Sequence, residues 1–145
     1  MGLFGLSPEE FDAAMGVARP MVDWVWGVPA AELAAEIMAV FGPEGPGRDG
    51  KTVGRQELAG WLFRGHTPPA LNTLEAASFR YRIAEQVHVA IMEAMQLLEH
   101  AELVCVAWWG ETSPNAEWRA TRFGLVAFTD GKDAVRQRIK DRTGQ

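Results

Sequence analysis

At 145 residues, 48% apolar and 23% charged, the chain has the length of one ordinary domain, and its balance excludes a disordered or fibrous protein. No apolar run approaches the ~18 residues that a spanning helix needs, which excludes a membrane partner by that route. Net charge is −5 and unevenly placed: residues 1–44 hold seven acids and one base, residues 45–118 nine and six, residues 119–145 three and seven. That pattern excludes a surface coating nucleic acid uniformly and leaves a local basic contact to the tail.

The opening residues lack the basic start and apolar core of a secretion signal, so a cytoplasmic location is the expectation. Ser7-Pro8-Glu9-Glu10 is a helix start, with a hydroxyl to cap, proline in the first turn and carboxylates at the positive dipole end. Phe11, Ala14, Met15 and Ala18 follow at helical spacing until Pro20 ends or restarts the pattern. Val22, Trp24 and Trp26 then alternate with Asp23 and Val25, which fits a short strand or a turn of helix equally. Ala30 to Phe41 reads as a helix stopped by Gly42-Pro43.

Residues 42–54 carry five glycines and two prolines and read as a surface loop. From Thr52 or Val53 a helix places Leu58, Trp61 and Leu62 on one face, with Gly65 as its cap, and Pro68-Pro69 stiffens the connector that follows. From Ser78 the residues Phe79, Ile83, Val87, Ile91, Met95 and Leu98 form one apolar stripe of a helix reaching His100. Val89, Met92 and Leu97 broaden it, opposite a wet side of Arg82, Glu85, Gln86, Glu93, Gln96 and His100. A helix this apolar either lies central to the core or buries part of itself in a partner.

Leu103 to Trp109 has no polar residue and reads as a strand, 110–117 as turn chemistry, and Trp118-Arg119-Ala120 as the return strand of a hairpin. Cys105, the lone cysteine, reads as a small buried hydrophobe. Thr121 caps a helix to Phe128, and Lys132 to Arg142 is a short basic helix holding Val135 and Ile139.

The text LLEHAELV (Leu97–Val104) followed by WRATRFGLVAF (Trp118–Phe128) resembles winged-helix proteins of the MarR/PadR kind. There a helix ends in a leucine-rich junction, a β-wing follows, and an aromatic-x-x-Thr-x-x-Gly motif opens the next helix. The junction usually carries glycine where this chain has Glu102. The resemblance implies a helix-turn-helix whose second helix, here about Val87 to His100, enters a DNA groove while the wing touches backbone. That stretch offers Gln96, two histidines and two glutamates without Lys or Arg, a poor match to phosphates. The expected fold is mainly α within the α+β class: one domain over 1–145, a helical part at 1–65, and a winged-helix-like part at 66–145 with one small β-hairpin.

Four groups of residues carry chemistry. Gly45-Pro46-Gly47-Arg48-Asp49-Gly50-Lys51-Thr52 matches the phosphate-loop pattern, in which Gly45, Gly50, Lys51 and Thr52 would cradle phosphates and magnesium, yet no buried strand precedes it. His66, His88 and His100 have no metal spacing, and no cofactor is implied. Trp24, Trp26, Met92, Trp108 and Trp109 are candidate partner anchors; neighbours on a strand face opposite ways, so Trp108 and Trp109 cannot both enter one core. Arg119, Arg122, Lys132, Arg136 and Lys140 are candidates for nucleic acid or an acidic partner, with Lys132, Arg136 and Lys140 sharing a helix face. No catalytic set emerges. The expected function is non-catalytic regulation or adaptation through the apolar and aromatic surface of residues 78–109, with a protein partner or a second copy. A DNA-binding regulator using wing and tail is the alternative, and nucleotide binding at 45–52 a remote one.

Overall fold

A computed structural model describes residues 6–108 and 116–145. In chain order these form α1 (Pro8–Gly27), α2 (Ala30–Ile37), β1 (Val53–Gly54), α3 (Arg55–Leu62), α4 (Thr73–His100), β2 (Val104–Trp108), β3 (Glu117–Ala120), α5 (Arg122–Thr129) and α6 (Lys132–Thr143). The architecture is mainly helical with one small antiparallel sheet, in strand order β1-β3-β2.

α4 is the axis, with α1, α2, α3 and α6 all packed on it. Its predicted stripe is the reason: Phe79, Ile83, Val87, Ile91, Met95 and Leu98 are each at most 1% exposed. Burying such side chains contributes roughly 1.5–3 kcal/mol apiece. The core they anchor is continuous, running from Ala14 and Leu33 through Phe63 to Val135 and Ile139, so residues before and after position 65 share it. The apolar surplus expected on this helix is therefore spent inside the chain.

Four expectations need correction. α4 begins at Thr73 rather than Ser78, because Asn72 accepts from the Glu75 backbone N–H while the Glu75 carboxylate accepts from the Asn72 N–H. Pro20 neither ends nor restarts α1: it lies inside a continuous helix, where its ring lacks only the N–H that Gly16 would have received, and the Val22–Trp26 stretch is helical, not a strand. Val53-Gly54 is a strand instead of a helix start, pairing with Trp118 and Glu117, which turns the hairpin into a three-stranded sheet. α3 stops at Leu62 with Phe63 as its cap, so Gly65 plays no such part.

The α4–β2 junction is specified in detail. Leu103 N–H donates to the Leu98 carbonyl and Glu102 N–H to that of Glu99, both at 2.9 Å, the paired bonds of a Schellman ending. Glu102 takes the left-handed conformation this demands, with φ 64°, at the position where the resembled family carries glycine. The Thr121 hydroxyl donates to the Glu102 carbonyl at 2.6 Å and accepts from the Gly124 N–H at 2.9 Å, tying the start of α5 to that corner. Gly124 is obligatory there, since a Cβ would lie 2.0 Å from the Leu103 carbonyl oxygen.

Candidate interaction surface

Most of α4 is covered, and between Glu85 and Glu93 its outward row is polar but for one aliphatic residue. Glu85, Val89 and Glu93 recur at four-residue spacing, and Val89 is 54% exposed between two carboxylates. Beside it α1 delivers Trp26, 51% exposed, whose indole Nε1–H donates to the Gln86 carbonyl oxygen at 3.3 Å. Tyr81, two turns earlier on α4, is 51% exposed and shares a hollow with Phe11, Ser78, Arg82, Glu85 and Gln86. The Arg82 guanidinium stands 4.9 Å from the centre of the Phe11 ring. These residues make an aromatic seam between α1 and α4, edged by Asp23, Glu85 and Glu93.

The other tryptophan and methionine candidates do not join Trp26. Two residues apart on a helix means about 200° of rotation, so Trp24 faces away, half-buried beside Pro20, Met21, Glu36 and His66. Met92 is half-buried against the core. Trp109 and the side chain of Trp108 lie outside the described residues. Trp118, never a site candidate, is 3% exposed and donates its Nε1–H to Glu99 at 2.7 Å. Cys105 is half-buried rather than fully inside, opposite Arg119 in the β2–β3 register.

The basic candidates separate into two sets. Lys132 pairs with Glu36, and Arg136 holds Glu32 through Nε at 2.7 Å and Nη2 at 3.2 Å, with Asp133 on its remaining side. The Glu32 hydrogen bond raises the Arg136 pKa further above its ordinary value. These two cations therefore clamp α6 to α2, and the free face expected of Lys132, Arg136 and Lys140 reduces to Lys140, which is exposed. Arg119 and Arg122 are also exposed and make no ion pair among the described residues. Near them Arg138 and Arg142 lie 4.4 and 5.0 Å from the Phe123 ring centre, and Arg142 reaches Glu102 at 3.0 Å. These arginine–aromatic contacts were not anticipated; Phe123 with Arg138 and Arg142 gives no local spacing to read.

Residues 45–52 lack the strand-to-helix setting of a phosphate loop. They follow a 3-10 turn (Met38–Phe41) instead of a strand, and β1 intervenes before the next helix. Gly45 is pressed on the Val40 carbonyl, where a Cβ would sit 2.0 Å away, and Gly50 lies in a second 3-10 turn at φ 76°. The Thr52 hydroxyl donates to Glu117 at 2.6 Å, and Lys51 points to solvent. His88 receives an Arg55 Nη1 contact at 3.2 Å through Nδ1, while Arg55 Nη2 reaches Glu85 at 2.8 Å and its buried Nε finds no partner among the described residues. Among the described residues no three His, Cys, Asp or Glu side chains gather as metal ligands.

Comparisons with protein-family models, curated proteins and solved structures found no match for the chain. No helix is long and apolar enough to cross a membrane among the described residues.

Proposed function

We propose that the protein is a non-catalytic binding module that takes a protein partner at the seam between α1 and α4. One observation carries the reading: Trp26 is half exposed yet already fixed by its indole hydrogen bond to the Gln86 carbonyl. Tryptophan is a favoured interface anchor, and an anchor that is oriented beforehand loses less conformational entropy on binding. Val89 and Tyr81 extend the apolar contact, and Asp23 and Glu93 with Arg19 and Arg82 give it a rim of both signs. The test is retention of partner on immobilised wild-type protein against Trp26→Ala and Val89→Asp, offering both the chain itself and lysate. A stoichiometric species held by wild type and lost from both variants is expected. Equal retention by all three proteins, or none by any, ends the reading.

A second reading, contact with duplex DNA, is favoured by Arg119 and Arg122, exposed without ion pairs among the described residues. The order of a helix pair, α3–α4, followed by the β2–β3 hairpin agrees with the winged-helix resemblance, as does the left-handed backbone at Glu102. The outward row of α4 opposes it, since Glu85 and Glu93 would face phosphates. On this reading a duplex is retarded at low salt, binding falls steeply as salt rises, and Arg119→Glu with Arg122→Glu removes it. No retardation at low salt disposes of it.

A further inference from the structure

We draw no further inference here: the strongest candidate, the shallow apolar hollow on α5 where Leu125 and Val126 stand 38% and 54% exposed beside Thr129 and Asp130, carries nothing because nothing in the structure shows what covers it.

Discussion

Two tryptophans donate their indole N–H groups to α4, and they do opposite work. Trp118 hangs from β3 between β1 and β2, 3% exposed, with its proton on the Glu99 carboxylate at 2.7 Å. Trp26 hangs from the last turn of α1, 51% exposed, with its proton on a backbone carbonyl at 3.3 Å. The same group closes the core on the sheet side and stands open on the α1 side. The difference lies in what covers the ring: a sheet strand has a partner on either edge, whereas the end of a helix overhangs solvent. Hydrogen bonding alone therefore does not separate a structural aromatic from an interaction anchor; burial beside the bond does.

The contrast can be broken most forcefully on the sheet side. Trp118→Ala should cost about 3–5 kcal/mol in urea unfolding, as expected for an aromatic removed from a packed interior. A loss no larger than that of a surface substitution would mean Trp118 is no core residue. Trp118→Phe keeps most of the volume and leaves Glu99 without its donor, an expected loss of about 1–2 kcal/mol that separates hydrogen bond from packing. Asn72→Ala removes the cap that starts α4 near Tyr81 and should cost about 1 kcal/mol, with amide exchange accelerating first over residues 73–76. Trp26→Ala should change stability by less than about 1 kcal/mol, as is usual at exposed positions, while abolishing association; a large destabilisation would make it a second Trp118.

The smallest effect lies at the start of α1. The Ser7 backbone N–H, with the Ser7 hydroxyl beside it, lowers the Glu10 carboxyl from 4.5 to about 2. A carboxylate with a depressed folded pKa stabilises the native state above its unfolded value, and that contribution disappears as pH falls from 4.5 toward 2. Glu10→Gln should abolish that part of the acid limb, read from melting temperature against pH. The α1 side should loosen in acid before the sheet side does.

The parts of the fold that follow from local spacing were legible in the sequence. The α4 stripe, the Ser7 and Thr121 caps and α6 all rest on contacts within a few residues, and each stands where periodicity placed it. β1 was not legible, because two residues carry no pattern and Val53 acquires a role only from Trp118, far along the chain. The start of α4 was hidden because Thr73–Ala77 carries no apolar stripe and Leu74 is exposed. Of the surface, Trp26 was named, but as a pair with Trp24 that the helix rotation separates. Val89 carried a readable signal, an aliphatic residue set four residues from a glutamate on either side. The Lys132 and Arg136 clamp was readable too, since Glu32 and Glu36 have the same spacing on α2; the charge pattern alone suggested free cations.

That clamp has a consequence for how the chain comes to be folded. Glu32 and Arg136 are 104 residues apart in sequence, and Val135 and Ile139 of the same last helix fill the core beside α2. Translation at ~5–20 residues per second places their emergence on the order of ten seconds apart. Once α4 has emerged α2 can pack on it, but the side of α2 that faces α6 stays uncovered until residues 132–143 follow.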